Sequence, residues 1–223
     1  MTKIDNNQHH VIWLIDEKER ELKTHYNILR RIMPSSIEVK PIKPFRHIDE
    51  FISLLEDLET VCIITDQRLK DTGIATYTGI DLARFIRGIN SKIPVYILTN
   101  YADDHDQFAG SEWSVEDIIK KSEMNTEDGQ KILKARILRR INVYQDILDE
   151  KAERLNLLIK KSLEGKLKRS ELQELEELRL ENLSPTLAKE LAQIRQIDQI
   201  ISSQEKLMNH LNQLTSMEKD NGL

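Results

Sequence analysis

The chain has 223 residues, enough for one large domain or two modest ones, and its 39% hydrophobic content supports a buried core. Charged residues make up 32% while Gly totals 7 and Pro 5, which excludes a disordered chain and argues against an all-β one. With 33 basic and 38 acidic residues the net charge is −5, so no overall basic field exists for a nucleic-acid backbone or an anionic membrane, and the lone Cys62 excludes an internal disulfide or a cysteine-based zinc site.

The first ten residues, MTKIDNNQHH, lack an apolar signal core, and no run approaches the roughly 18 to 20 apolar residues of a membrane span. A soluble cytoplasmic protein is expected, with His9 and His10 in a polar leader. Val11 to Ile15 is the first apolar run. Leu22, Tyr26, Leu29 and Met33 then recur at helical spacing until Pro34. A weaker strand spans Ile37 to Ile42, and Ile48, Phe51, Ile52 and Leu55 mark a second helix. The β-branched run Val61, Ile63, Ile64 and Thr65 reads as a buried central strand holding Cys62 as an inert core thiol. Leu82, Phe85, Ile86 and Ile89 form the next helix, and Pro94 opens the strand Val95 to Thr99. A short fourth helix falls somewhere in 104 to 112, a fifth strand at Val115 to Ile119, and Thr126 caps a helix. Alternating strands and helices predict a doubly wound five-stranded parallel sheet over residues 1–126, of flavodoxin-like layout.

Residues 127–223 differ. Ten of the eleven aromatics precede residue 127, and the two parts carry 16 basic with 21 acidic and 17 with 17 residues. A helix from about 127 to 163 is expected, ended by Gly165, with Ile137, Ile141, Tyr144, Leu148, Leu155 and Leu158 on one stripe. Ser170 with Gln173 resembles a capping box for a middle helix, and Ser184-Pro185 opens a third. There Leu187, Ile194, Ile201 and Met208 recur every seven residues. The pattern predicts an antiparallel helical hairpin or coiled coil, frayed after about 217, whose apolar stripe requires a second chain and makes the protein at least a dimer. The basic cluster Lys131, Lys134, Arg136, Arg139 and Arg140 reads as a solvated helix face meeting the acidic first domain.

Carboxylates gather at the C-terminal ends of predicted strands: Asp16 and Glu17 after the first, Asp66 after the third. Ligands bind at this edge of open parallel sheets, and converging carboxylates repel unless a hard cation such as Mg²⁺ is held among them. Thr99 ends the fourth strand and Lys121 follows the fifth, a hydroxyl and an ammonium suited to the oxygens of a phosphoryl group on a carboxylate. The scattered His25, His47 and His105 offer no helix-face pair, and His210 in KLMNHLNQL has no basic follow-up, so none is read as a ligand or phosphotransfer residue.

These residues resemble the receiver domains of two-component response regulators, over roughly residues 9 to 140. The resemblance rests on Asp16 and Glu17 in WLIDEKE, Asp66 in CIITDQRL, Thr99 in VYILTN and Lys121 in DIIKKSE. It implies that Asp66 accepts phosphate from a histidine kinase or phosphotransfer protein. Mg²⁺ would be bound by Asp16, Glu17, Asp66 and the backbone carbonyl of Arg68, with Thr99 and Lys121 completing the site. Gly79 lies thirteen positions after Asp66, so the adjoining loop is enlarged. Asn100, Ile118 and Ser122 stand where the family favours a small residue, an aromatic and a proline. Lys120 takes the place of Lys121 if the register shifts by one. Two readings follow: a signalling protein with a helical output and no enzymatic one, or an unphosphorylated pseudo-receiver scaffold that assembles a complex through its helices. A glycine-rich nucleotide turn is absent, since DEKER follows the first strand, and the second Asp of related phosphatases is replaced by Arg68.

Overall fold

A computed structural model of the chain describes residues 9–102 and 114–220, and within 191–220 the side chains of only some residues. Strands β1 (His10–Ile15), β2 (Ile37–Ile42), β3 (Thr60–Asp66), β4 (Val95–Thr99) and β5 (Asp117–Lys120) form one sheet in the order β2-β1-β3-β4-β5, every pair parallel. Helices α1 (Glu19–Ile32), α2 (Ile52–Glu56, entered by a 3-10 turn at Ile48–Phe51) and α3 (Gly79–Ile89) join them, followed by α4 (Glu127–Leu163) and α5 (Arg169–Asp220). Helices α1 and α4 touch one another, and α3 packs on the 48–51 turn. Both faces of the sheet are therefore covered, which is why β3 is buried at every position and reads as a continuous apolar run rather than an alternating one. Cys62 lies in that core, where burial raises its thiol pKa and leaves it unreactive.

Several boundaries differ from the sequence reading. His10 belongs to β1, pairs with Ile37 and is buried, because its amide reaches the Ser36 carbonyl at 3.2 Å and extends the ladder by one residue. Strand β5 starts at Asp117 rather than Val115. The expected helix at 104 to 112, with His105, lies outside the described residues.

Helix α4 has the expected bounds: Thr126 Oγ1 accepts the Gly129 amide at 3.1 Å, and Gly165 adopts φ +68°. The middle and third helices are a single helix, α5, with Pro185 inside it. Its cap is also displaced from the expected Ser170: the Lys168 amide donates to Glu171 Oε2 at 3.0 Å. The helix continues to Asp220, beyond the expected fraying point. Two compact units are distinguished, Met1–Pro185 and Thr186–Leu223. In the first, α4 and the start of α5 run antiparallel, with Lys161–Glu171, Arg154–Glu174 and Lys151–Glu181 ion pairs nested outward from the turn and Leu158 and Leu175 buried between the helices. Arg136 and Arg140 meet Asp117 and Glu116 at 2.9 and 2.6 Å, so part of the basic cluster faces the acidic domain as expected. No helix among the described residues is long and apolar enough to cross a membrane.

Candidate functional site

All five strands point the same way, so the ends of β1, β3, β4 and β5 bring Asp16, Asp66, Thr99 and Lys121 to one edge. Register aligns them: Ile15 sits opposite Thr65, Asp66 opposite Leu98, and Thr99 opposite Lys120. The chain leaves β1 toward β2 on one side, while β3 lies on the other, and this reversal opens the crevice in which doubly wound sheets bind ligands.

Lys121, the first residue of a 3-10 turn at Lys121–Asn125, is buried and extends its ammonium into the crevice. Its Nζ lies 2.8 Å from Asp66 Oδ1 and 2.9 Å from Asp16 Oδ2, and it also bonds Glu21 of α1. Lys121, not Lys120, therefore occupies the site. Burial alone would lower the Lys121 pKa, but Asp66, Glu21 and Asp16 outweigh it and hold the group above the ordinary lysine value. Asp16 shows the opposite balance: burial pushes its carboxyl up, and the attraction of Lys121 offsets this only in part. Asp16 Oδ1 accepts the Lys18 amide at 2.9 Å, which fixes the turn into α1.

The second oxygen of Asp66 accepts the Arg68 amide at 2.6 Å. Thr99 is buried, and its Oγ1 accepts the Tyr101 amide at 3.1 Å. The Arg68 guanidinium lies over the Tyr101 ring at 3.9 Å from its centre, a cation–π contact that links the loops after β3 and β4. The enlarged loop after Asp66 returns to the site through Gln67, whose carbonyl accepts the Gly79 amide at 3.0 Å and whose Oε1 accepts the Ile80 amide at 3.1 Å. A Cβ at position 79 would stand 2.2 Å from the Asp66 carbonyl oxygen, so this approach requires glycine. Arg68, Lys70, Asp71 and Asp81 line an open cavity of about 430 Å³ that also reaches Gln67, the neighbour of Asp66.

Glu17 is buried with 4% exposure; its Oε2 accepts the Thr72 amide at 3.1 Å, while Oε1 has no hydrogen-bond partner and lies 3.6 Å from the Lys18 ammonium. A buried carboxylate oxygen with no hydrogen bond, on the residue that follows Asp16, makes the donor set compatible with a hard cation such as Mg²⁺.

The sequence reading passed over Glu21 and set His25 aside for want of a helix-face pair, yet both belong to the cluster. Glu21 and His25 stand one turn apart on the face of α1 that lies over the crevice. The His25 ring, 6% exposed, places Nδ1 3.9 Å from Asp16 Oδ2. Burial, reinforced by Lys121, lowers its pKa to about 4. Their spacing of four was the available signal, but an acid–histidine pair on an amphipathic helix has no direction until the helix is docked. His47 instead caps the 48–51 turn. Side-chain contacts of His210 lie outside the described residues.

No protein-family model and no curated protein matches the chain. Among solved structures it is similar to a receiver domain from Clostridium thermocellum, at 19% identity and TM-score 0.47 over 62% of this chain and 98% of that one. The response regulator TrrA from Thermotoga maritima, in complex with Mg²⁺ and BeF, is 16% identical over 57% of this chain and 98% of that one, with TM-score 0.44. A receiver domain of an HD-domain protein from Pseudomonas fluorescens Pf-5 is 20% identical over 65% and 94%, with TM-score 0.47. These are likenesses of fold. Five parallel strands in the order β2-β1-β3-β4-β5, with helices on both faces and an acidic crevice at the strand ends, give the chain a receiver-like fold followed by long helices.

Proposed function

We propose that the chain is a response-regulator-like signalling protein in which Asp66 accepts a phosphoryl group and the C-terminal helices dimerise or dock a partner. The observation that carries this reading is the Lys121 ammonium between Asp66 at 2.8 Å and Asp16 at 2.9 Å, at the C-terminal edge of adjacent strands. A histidine kinase or phosphotransfer protein is the natural donor. An Asp66 oxygen forms a bond to phosphorus as the donor's P–N bond breaks, and the bonding pair leaves on the imidazole. Lys121 then moves from the carboxylate to a phosphoryl oxygen as a point charge on a flexible stem, and Thr99 lies at the same edge to donate its hydroxyl proton to another. Asp16, Glu17, Asp66 and the Arg68 carbonyl would hold Mg²⁺, which when bound supplies charge neutralisation for the transferred group. The reading assigns the chain no turnover of a separate substrate.

The output is assigned to α5, where Leu187, Ile194, Ile201 and Met208 recur every seven residues and are 43–62% exposed. A second copy of the helix is the simplest cover for such a stripe. This same stripe, which needs no phosphorylation to associate, favours the scaffold as a second reading.

Incubation of the full chain with an acyl phosphate and Mg²⁺, followed by intact mass, separates the two. Addition of one phosphoryl group, lost in Asp66→Asn, supports the first reading. Absence of labelling with association intact leaves the scaffold.

A further inference from the structure

Asp16, Glu21 and His25 each offer one ligand atom, and these three atoms lie within 4.8 Å of one another; the described residues contain no other such group. Two features separate this trio from the carboxylates considered for Mg²⁺. It contains an imidazole nitrogen, which suits borderline transition ions and not Mg²⁺ or Ca²⁺. It also contains an unsatisfied atom: His25 is more than nine-tenths buried, and its Nδ1 has no hydrogen-bond partner although it points toward the two carboxylates. Asp16 Oδ2, at 3.9 Å, is too far to accept a hydrogen bond from that nitrogen. Buried polar atoms are nearly always paired, so an orphan facing two carboxylates is an explicit vacancy in the bonding of the site.

We propose that Asp16, Glu21 and His25 form a binding site for a divalent transition ion of the Zn²⁺ class, with Lys121 as the competing internal cation. Ligands at about 2.1 Å from a tetrahedral ion are about 3.4 Å apart, so the three atoms need to close inward by less than about 1.5 Å. Glu21 can supply most of this movement, because its side chain is 32% exposed and is released when the ion takes over from Lys121. The Lys121 ammonium already bonds both Asp16 and Glu21. A metal ion replaces one cation by another of higher charge, and Lys121 retains Asp66 as its remaining partner. The trio shares Asp16 with the proposed phosphoacceptor site but requires no phosphorylation.

The test is titration of the full chain with Co²⁺ in the absence of Mg²⁺ and phosphodonor, followed by its visible absorption, with Zn²⁺ displacing it. Wild type should develop the bands of a nitrogen- and oxygen-ligated Co²⁺ ion at one equivalent. His25→Gln should weaken binding about 100-fold and Glu21→Gln about tenfold or more, since losing even an outer partner of a metal ligand costs about 10- to 100-fold. Lys121→Met should tighten binding about tenfold by removing the resident positive charge. Glu21→Gln alters a partly exposed side chain and keeps the test decisive if His25→Gln does not fold. Co²⁺ binding that is unchanged in Glu21→Gln or in folded His25→Gln, or no binding by wild type, overturns the proposal. Failure of Asp66 labelling leaves it untouched.

Discussion

Ile64 in strand β3 is 1% exposed and Ile201 in helix α5 is 48% exposed, although both are β-branched, apolar and placed in regular structure. Across the first unit, Ile12, Leu14, Ile63, Ile97 and Leu98 share the fate of Ile64; in the second, Leu187, Ile194, Ile197, Leu207 and Met208 share that of Ile201. A parallel sheet supplies its own cover, because every crossover between neighbouring strands lays a helix across a face. A single helix cannot cover its own stripe. The same residue types therefore encode a core in one unit and an exposed stripe in the other, and what distinguishes them is whether the chain returns across the apolar surface.

The largest expected effect measures that difference directly. Ile64→Ala should cost about 2 to 5 kcal/mol in denaturant unfolding of the first unit, the range for deleting a well-packed side chain. Ile201→Ala should change the same transition by less than about 0.5 kcal/mol. Equal losses would break the comparison. Replacing both Ile194 and Ile201 by Glu should leave the transition in place and, in light scattering on the full chain, convert the proposed dimer to a monomer.

A second test uses pH. Burial lowers the His25 pKa from 6.5 to about 4, so the unfolded chain takes up a proton at higher pH than the folded one. Stability from this residue is fully present above about pH 6.5 and is lost as pH falls toward 4, at most about 3 kcal/mol. The raised Asp16 carboxyl acts with the opposite sign, destabilising the fold as it ionises with rising pH. His25→Gln should therefore flatten the loss of stability between pH 6.5 and 4 relative to wild type, as read by thermal unfolding at several pH values. An unchanged profile would show that the ring is not held neutral among Asp16, Glu21 and Lys121.

The features legible in the sequence are those set by local chemistry. Strands β2 and β4 and helix α4 have the expected bounds, because Pro94 precedes β4 and Thr126 and Gly165 terminate α4 through their own hydroxyl and φ. Asp16, Asp66, Thr99 and Lys121 were found because strand ends in a parallel sheet share one edge. Features set by distant contacts were not legible. Ser184-Pro185 reads from local chemistry as a helix start, but Ser184 Oγ bonds the Ile89 carbonyl at 2.9 Å, 95 residues away, and α5 runs through Pro185. Glu21 and His25 join the site only because α1 packs over the crevice, and His10 enters β1 because the neighbouring chain at Ser36 accepts its amide.

Gly79→Ala tests whether the enlarged loop is tied to Asp66. The added Cβ would meet the Asp66 carbonyl oxygen at 2.2 Å, so the loop or the end of β3 must shift. Overpacking of this kind costs about 1 to 3 kcal/mol. If the end of β3 yields, the rate of Asp66 labelling by an acyl phosphate should fall as well. Lost stability with an unaltered rate would place the movement in the loop alone.

The smallest effect concerns the junction between the site and the helices. Lys121 opens the 3-10 turn that ends at Asn125, and Thr126 joins that turn to α4. Thr126 Oγ1 accepts the Gly129 amide at 3.1 Å and donates to the Glu123 carbonyl at 3.2 Å, so one exposed hydroxyl holds the turn and the first turn of α4 together. Gly129 allows the close approach, since a Cβ there would lie 2.0 Å from the same Glu123 carbonyl. Thr126→Ala removes both bonds and should cost about 1 kcal/mol, the usual value for an N-cap. Thr126→Ser keeps the hydroxyl and should recover most of it. Because α4 also contributes Ile137, Ile141 and Tyr144 to the core of the first unit, the helix will remain docked in both variants. Loosening is then confined to the turn, and amide exchange should rise at residues 121–129 in Thr126→Ala and stay slow in β3. Faster exchange throughout α4 would instead mean that the cap, more than the core contacts, holds the helix, and that the long helices are coupled to Lys121 through a single hydroxyl.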